Sequence, residues 1–354
     1  MKIRDIRSLK LLPIILLLII NLIFTFYYKT TEKNTFYNDQ IEAANKMKIL
    51  SNAVKNYKEE LNIPIYDYDY FDTGLLGDEY NEYTTSLGHL ESKRTSTNPN
   101  MAALVVKMFH EVGLKSGDHV AVGFSGSFPA LNLAVLSASE VMGLDLTIIS
   151  SFGSSTYGAN QIELTFPKML SMLNSDNYTK YNSSLVTMGG DDDVASEKPP
   201  ELIDRIIKEY EKLNLKVMIE PNFQENINKK VDVYYSKKDV DCYIAVGGNL
   251  TFLGIGEFDI ANKQGILKSS QIRGTDYGDN DGLINYFLSK NIPTIHLLNV
   301  KKIVADYGLP FDPPIWSPIG ASNVYYKVGY SKTLPIITLF VSVVYIIYIN
   351  KRKI

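Results

Sequence analysis

The segment "AVGFSGSFPALNLA", residues 121–134, has the composition of a ligand-binding turn between a strand and a helix. After an apolar run come the small residues Ser125, Gly126 and Ser127, and a helix begins near Phe128. Small side chains let a ligand approach the backbone, and the free N–H groups at a helix N-terminus attract an anion. The residue types therefore predict a site for a carboxylate or a phosphate, or a nucleophile at Ser125.

The same segment partly matches the G-x-S-x-G turn that presents a catalytic serine. Gly123 and Ser125 fit this pattern, whereas Ser127 stands where the last glycine is expected. A catalytic triad also needs a base and an acid, and the chain order allows His296 with one of the aspartates 191–193. Three interpretations stay open: catalytic Ser125 and His296, a ligand-binding loop without catalysis, and a structural tight turn.

A second group of polar residues lies in "GHLESKRTSTNPN", residues 88–100, just before a predicted helix. Glu91, Lys93 and Arg94 stand there among hydroxyl side chains. Guanidinium and ammonium groups bind carboxylates. We therefore predict that these three residues contact an anionic ligand beside the Ser125 turn. The alternative is a solvated loop that ends in a helix cap.

Two further loops with glycine or small polar residues follow predicted strands, "SSFGSSTYGAN" at 150–160 and "GGNLTFLGIG" at 247–256. The carboxyl ends of parallel strands meet at one edge of a sheet. We therefore expect both loops to reach the same ligand as Ser125. The predicted contacts are Ser154, Ser155, Gly248 and Asn249.

The run "GGDDD", residues 189–193, is expected at the same edge. Its carboxylates have the oxygen ligands that a divalent cation prefers, but such runs are more often solvated, and no metal site is predicted. The sequence has no Walker loop, G-x-G-x-x-G, H-E-x-x-H or C-x-x-C pattern, so no cofactor is predicted. The single cysteine, Cys242, lies in an apolar run and is expected in the core.

Short apolar runs alternate with helical patterns along the middle of the chain. The predicted strands are "HVAVGF", "LTIIS", "SLVTM", "KVMIE", "CYIAVGG" and "TIHLL". Helices are predicted over residues 37–60, from Asn98 to Gly113, and near residues 128–143, 163–174, 200–213, 223–236, 281–290 and 300–307. This alternation predicts an α/β fold, a mostly parallel sheet with helices on both faces.

Both ends of the chain contain an uncharged apolar stretch of about the length that spans a bilayer. Basic residues flank them, which places both termini in the cytoplasm by the positive-inside rule and the main domain outside. The predicted parts are a cytoplasmic tail (1–10), a transmembrane helix (11–28), a stalk helix and loop (29–70), an extracytoplasmic α/β domain (71–332, with a possible division near 190–200), a second transmembrane helix (333–350) and a cytoplasmic tail (351–354).

Charge is distributed unevenly along the chain. The net charge is −3, and the two tails carry +3 each, which leaves −9 for the remainder. An acidic main domain argues against nucleic acid as a partner. An anionic ligand would therefore need a local site, and the other predicted partners are the lipid bilayer and membrane proteins.

Three stretches in this order resemble the poly-γ-glutamate system protein family of bacteria: "LGHLESKRTSTNPNMAALVV", "GDHVAVGFSGSFPALNLAVL" and "IISSFGSSTYGAN". The segment "IPTIHLLNVKKIVADYGLPFDP" is similar to the same family. The resemblance covers roughly residues 70–315. It implies an accessory membrane component that works with the membrane-embedded subunits of poly-γ-glutamate synthesis or export. It implies no catalytic residue.

Three functions are compatible with the sequence. The first is an accessory subunit that binds poly-γ-glutamate, or the subunits that make it, on the outer face of the membrane. The second is a serine hydrolase or transferase that acts on γ-glutamyl chains with Ser125 as its nucleophile. The third is a surface protein that binds a small anionic ligand.

Overall fold

A computed structural model of the chain describes residues 3–27, 29–256, 258–271, 277–330 and 332–351. Its helices are α1 (Ile3–Tyr27), α2 (Tyr37–Glu60), α3 (Leu90–Ser96), α4 (Asn100–Val112), α5 (Pro129–Val141), α6 (Phe166–Ser175), α7 (Pro200–Lys212), α8 (Phe223–Tyr234), α9 (Leu250–Leu253), α10 (Phe258–Asn262), α11 (Leu283–Ser289), α12 (Val300–Tyr307) and α13 (Thr333–Lys351). Its strands are β1 (Lys29–Lys33), β2 (Thr84–Ser86), β3 (His119–Phe124), β4 (Asp145–Ser151), β5 (Ser154–Ser155), β6 (Ser183–Thr187), β7 (Val217–Met218), β8 (Cys242–Val246), β9 (Gly265–Leu267), β10 (Thr294–Leu297) and β11 (Tyr326–Tyr330).

The chain divides into two compact units. The central unit is Phe36–Tyr325, and the terminal unit combines Met1–Thr35 with Tyr326–Ile354. The stretch 190–200, which has the composition of a linker, lies inside the central unit and separates no domains. The central unit also begins well before residue 71, where the sequence suggested that the main domain starts.

A seven-stranded sheet forms the middle of the central unit, with the strand order β7-β6-β4-β3-β8-β10-β9. The five pairs from β7 to β10 are parallel, and β9 pairs with β10 in the antiparallel direction. The predicted α/β fold with a mostly parallel sheet is therefore confirmed. The three-residue β9 was not predicted, because its sequence is too short to give a period.

The two faces of the sheet are covered by different helices. Ala121 of β3 and Tyr243 of β8 belong to one apolar cluster with Phe287 of α11. Phe124 points to the other face, where its ring packs edge-on against Phe166 of α6 at 5.4 Å between centroids. Both faces of β3 are buried in this way, which explains its uninterrupted apolar sequence.

Strands are added to the sheet in two directions from β3, which is the first strand of this sheet in the sequence. From there the chain builds β4, β6 and β7 on one side, and it then crosses to build β8, β9 and β10 on the other. The loops after β3 and β8 consequently leave in opposite directions and open a crevice at the carboxyl edge. Ligands of open α/β sheets bind at such switch points.

Helix α2 packs inside the central unit and does not stand apart as a stalk. Met47 and Leu50 are fully buried, and the Gln40 amide donates hydrogen bonds to the carbonyl oxygens of Ala103 and Val324, both at 3.0 Å. The helix was predicted at its observed bounds. Its apolar stripe indicates that one face is covered, but only the tertiary structure shows that α4 and α5 cover it.

The terminal unit consists of two apolar helices and a two-stranded ribbon. Strands β1 and β11 pair in the antiparallel direction. The Asn21 side chain of α1 donates a hydrogen bond to the carbonyl oxygen of Leu334 in α13 at 3.2 Å. Thr338 and Ser342 of α13 are buried. Small polar residues of this kind let apolar helices approach each other closely.

Helix α13 is long and apolar enough to cross a membrane, while the apolar part of α1, Leu11–Thr25, is shorter than a usual span. Leu339 and Phe340 of α13 are 66% and 71% exposed, as expected of a helix that faces lipid and not of a buried core helix. Several residues of the predicted tails and first span lie outside the described residues: Lys2, Tyr28, Arg352 and Lys353.

The burial of α2 predicts a large difference between two adjacent substitutions. Leu50 is fully buried, and its neighbour Ile49 is 51% exposed. We expect Leu50→Ala to lower the free energy of unfolding by roughly 2–5 kcal/mol because it leaves a cavity in the core. Ile49→Ala should change it by only about 0.5 kcal/mol. Urea titration of the detergent-solubilised chain, followed by the fluorescence of Trp316, measures both. Equal, small effects would mean that α2 stands free of the core.

Candidate ligand-binding site

A cavity of about 1120 Å³ lies at the carboxyl edge of the sheet. Its wall is formed by the segments that directly follow β3, β4, β6, β8 and β10, together with residues of β2, β5, the start of α3 and the loop before it. The volume slightly exceeds the roughly 300–1,000 Å³ that ligand pockets usually enclose. Because it spans the switch point between β3 and β8, its place in the fold is the one that favours ligand binding.

The turn after β3 is held by its own hydrogen bonds. The Ser125 N–H donates to the carbonyl oxygen of Val246 at 3.1 Å, and the Ser125 Oγ accepts the Ser127 N–H at 3.1 Å. The Asn132 amide of α5 donates to the Ser125 carbonyl oxygen at 2.9 Å. A serine oxygen that accepts the N–H two residues later is typical of a turn. Ser125 therefore has a structural role at the cavity wall.

The structure does not form the Ser125–His296 pair that the sequence suggested. His296 lies on β10 between β8 and β9, where its Nδ1 is 2.8 Å from the Lys263 carbonyl oxygen and its Nε2 is 3.3 Å from that of Gly247. Burial lowers the pKa of His296. Within the described part of the chain, neither ring nitrogen is hydrogen-bonded to Ser125, because both contact backbone carbonyl groups of the sheet edge.

Asp193, the last residue of the acidic run after β6, is tied into the core and does not supply the acid of a triad. Asp193 is fully buried and forms a 2.6 Å ion pair with Lys230 of α8. Its carboxylate also accepts hydrogen bonds from Thr187 and Asn249, at 3.1 and 2.7 Å. Asp192 lines the cavity. Among the described residues there is no cluster of three or more His, Cys, Asp or Glu that could hold a metal ion.

The loop after β8 reaches the cavity as predicted. Gly248 and Asn249 both line it. The Asn249 Oδ1 accepts the Thr251 N–H at 2.9 Å and caps α9, while its amide nitrogen is held by Asp193. The ion pair of Asp193 and Lys230 thus fixes the position of one cavity wall.

Lys93 is the cation at the floor of the cavity. It is 2% exposed, and its Nζ donates hydrogen bonds to the Ser127 carbonyl oxygen and to the Ser155 Oγ, the latter at 2.7 Å. The Nζ also lies 3.8 Å from the centre of the Phe128 ring. Within the described part of the chain no carboxylate forms an ion pair with it. Burial without a counter-charge lowers the pKa of Lys93 to about 7.

Arg94 does not reach the cavity, which corrects the prediction that it binds ligand beside Lys93. Its guanidinium forms a two-point ion pair with Asp312, at 2.7 and 2.6 Å, and stacks 4.1 Å above the Tyr70 ring. Hydrogen bonding to Asp312 raises the pKa of Arg94. Consecutive residues of a helix point in different directions. Because Lys93 faces the cavity, Arg94 faces a neighbouring loop.

The other predicted contacts separate into two groups. Glu91, Ser127 and Ser155 line the cavity. Gly126 and Ser154 lie behind the wall, where the Ser154 hydroxyl donates to the Gly126 carbonyl oxygen at 3.1 Å. That contact joins the loops after β3 and β4. The glycine is required there, because a Cβ atom at position 126 would lie 2.9 Å from two backbone oxygens of the second loop.

Several residues of the wall were not among the predicted contacts. Leu87, Gly88, Lys301 and Phe311 line the cavity, and all four lie in stretches that carry the family resemblance. Gly88 packs closely against the floor, since a Cβ atom there would lie 2.9 Å from the Ser155 Oγ and 3.1 Å from the Lys93 Cε. The "LGH" sequence that carries the family resemblance contains this glycine.

Comparison with known proteins finds no matching family, no matching curated protein and no matching solved structure. The resemblance to the poly-γ-glutamate system family therefore rests on the sequence stretches quoted above.

The buried cation predicts how stability depends on pH. In the unfolded chain Lys93 keeps its proton up to its ordinary pKa of 10.5, whereas in the folded protein it loses the proton near pH 7. Between these values the unfolded state binds more protons, so the free energy of unfolding rises with pH. Lys93 contributes up to about 1.4 kcal/mol per pH unit to this rise in the free energy of unfolding. We expect the rise between pH 7 and pH 9 to be smaller in Lys93→Met.

Urea titrations across this pH range measure the effect. Lys115→Met removes an exposed lysine and serves as the control, for which we expect the slope of the wild-type protein. Identical slopes for the wild-type protein and Lys93→Met would contradict a buried lysine whose pKa is lowered.

Proposed function

We propose that this protein is a membrane-anchored accessory component of bacterial poly-γ-glutamate synthesis or export, and that its central unit binds the carboxylate-bearing polymer in the cavity. Lys93 is the observation that carries the binding proposal. An ammonium group has three N–H donors, and Lys93 directs two of them to Ser127 and Ser155. In its protonated form Lys93 would donate the third to a carboxylate of a ligand, which would supply the missing counter-charge.

Other features of the wall support an anionic ligand. Lys301 adds a second cation at the rim. The small residues Ser127, Gly153 and Gly248 let a polymer chain approach the backbone closely. The rest of the unit is acidic, so binding would depend on this local site and not on a general attraction for polyanions.

The proposed membrane arrangement has two spans, α1 and α13. The basic tails lie in the cytoplasm and the central unit lies on the outer face, according to the positive-inside rule. The exposed apolar side chains of α13 are available both to lipid and to membrane-embedded synthase or export subunits. A polymer that emerges from such subunits would meet the cavity on the outer face.

Binding of γ-linked glutamate oligomers to the full chain in detergent tests the site. We expect saturable binding by isothermal titration calorimetry. Lys93→Met should weaken it by about tenfold or more, because a hydrogen bond to a charged group contributes roughly 1.5–3 kcal/mol. Lys58→Met is the matched control: Lys58 is 3% exposed and burial lowers its pKa to about 8, but it donates to the Leu76 carbonyl oxygen away from the cavity.

The choice of oligomer separates the polymer from a small anionic ligand. Binding that strengthens from free glutamate to γ-linked trimers supports the polymer, whereas equal binding of glutamate alone supports a small metabolite. Equal affinities of Lys93→Met and Lys58→Met for the oligomer would contradict the role of Lys93.

Polymer output tests the process. We expect deletion of the gene in its host to reduce or redistribute poly-γ-glutamate between the cell-bound and released fractions, and wild-type protein to restore it. Lys93→Met should fail to restore the wild-type distribution, while Lys58→Met should succeed. If deletion leaves both fractions unchanged, the protein does not act in this process.

A further inference from the structure

Lys93 and Ser155 form a hydrogen-bonded pair at the floor of the cavity. The Lys93 Nζ and the Ser155 Oγ are 2.7 Å apart, and both residues line the cavity. Ser155 is 5% exposed and Lys93 is 2% exposed, so bulk water has little access to the contact. A nucleophile and a base within about 2.6–3.2 Å of each other are the usual geometry for covalent catalysis.

The environment of Lys93 favours the neutral amine that a base requires. Lys230, which is buried to a similar extent, has Asp193 as its partner. Among the described residues, the contacts of the Lys93 nitrogen are the Ser127 carbonyl oxygen, the Ser155 hydroxyl and the Phe128 ring. With its pKa lowered to about 7, a large fraction of Lys93 carries a lone pair at neutral pH, and bases with such pKa values work efficiently at that pH.

Ser125 and Ser127, the two serines of the turn after β3, are less suited to attack. The Ser125 Oγ is engaged by the Ser127 N–H within its own turn. The Ser127 Oγ accepts the Ser155 N–H at 3.0 Å. Only the Ser155 Oγ contacts the lysine amine among the described residues. This distinguishes the pair from the Ser125 nucleophile that the sequence suggested.

We propose that Ser155 is a nucleophile activated by Lys93 as general base, and that the pair cleaves or transfers acyl groups at an amide bond held in the cavity. The choice of a γ-glutamyl amide as substrate rests on the proposed function, whereas the reactivity of Ser155 does not.

The reaction balances without a cofactor. Neutral Lys93 takes the Oγ proton of Ser155 as the oxygen attacks the amide carbonyl carbon. The resulting ammonium stabilises the negative charge on the tetrahedral intermediate and then gives its proton to the departing amine as the C–N bond breaks. An ester on Ser155 remains. Water attacks this ester, Lys93 accepts a water proton, and the Ser155 oxygen takes that proton back as it leaves. The products are a carboxylic acid and an amine; an amine in place of water would give transfer.

A fluorophosphonate probe tests the nucleophile without any knowledge of the substrate. The full chain in detergent is incubated with the probe between pH 5.5 and pH 9, and the labelled peptide is mapped by mass spectrometry. We expect labelling at Ser155 with a rate that rises with pH and is half-maximal near pH 7, where Lys93 loses its proton.

Two substitutions of Lys93 show whether it acts as a general base or only as a positive charge. Lys93→Met and Lys93→Arg should each slow labelling by about a hundredfold or more, because general base catalysis contributes roughly that much and arginine stays protonated. The matched control is Ser137→Ala, which removes a buried α5 hydroxyl that has no hydrogen-bond partner among the described residues. It should be labelled like the wild-type protein. Labelling at another serine, or labelling that does not depend on Lys93, would overturn the proposal.

A second measurement covers the case in which the probe does not fit the cavity. In Ser155→Cys, neighbouring Lys93 should activate the introduced thiol, since adjacent cationic groups lower the pKa of a cysteine. We expect rapid alkylation by iodoacetamide at pH 7 and at least tenfold slower alkylation when Lys93→Met is added. The native Cys242 does not interfere, because it is fully buried and burial raises its pKa. Equal alkylation rates with and without Lys93 would overturn the proposal.

These results separate the two proposals. Oligomer binding without probe labelling or thiol activation would overturn the catalytic pair and leave the binding function intact. Lys93-dependent labelling without oligomer binding would support the pair and contradict poly-γ-glutamate as its substrate.

Discussion

The parallel pairing of β3 with β4 and β8 is the constraint on which the site depends. Phe124 at the end of β3 lies opposite Ser150 and Val246. The three strands therefore end almost together, and their following loops must meet at one edge. The sheet is extended on one side of β3 by β4 and on the other side by β8. The loops after β3 and β8 therefore diverge and leave a crevice between them. The residues that line the cavity owe their proximity to this register, although they are far apart in the sequence.

Two of the buried lysines of the central unit, Lys230 and Lys93, are in different electrostatic situations. Lys230 forms an ion pair with Asp193, whose carboxylate also accepts hydrogen bonds from Thr187 and Asn249. Such a pair fixes geometry, and removing either partner would leave a buried charge. Among the described residues no carboxylate forms an ion pair with Lys93, so its hydrogen bonds and the Phe128 ring offset only part of the cost of burying its charge. A strongly perturbed group in a cleft is a reasonable indicator of a functional site.

Hydrogen bonds to buried groups hold two segments of the cavity wall, the loop after β8 and the turn after β3. Asn249 lies on the cavity wall and donates to Asp193, and Ser127 accepts from both Lys93 and Ser155. The neutral turn after β3 and the charged pair after β6 therefore each hold a different segment of the cavity wall. A stable ion pair at one wall gives the rigidity that a binding or catalytic group at the other requires.

The sequence by itself determined the main strands and helices of the central unit and the edge at which the site lies. Period and composition predicted the strands from "HVAVGF" to "TIHLL" and the bounds of α2, because an element's own residues decide whether its faces are apolar. Small residues after those strands predicted that Ser125, Ser155 and Gly248 would face one ligand. Only the tertiary structure decided the individual partners. It turned Arg94 toward Asp312, placed His296 against backbone carbonyls and covered α2 with neighbouring helices. It also brought Lys93 to Ser155. Hydrogen bonds and burial depend on residues distant in the chain, and a local pattern carries no information about which distant residues those are.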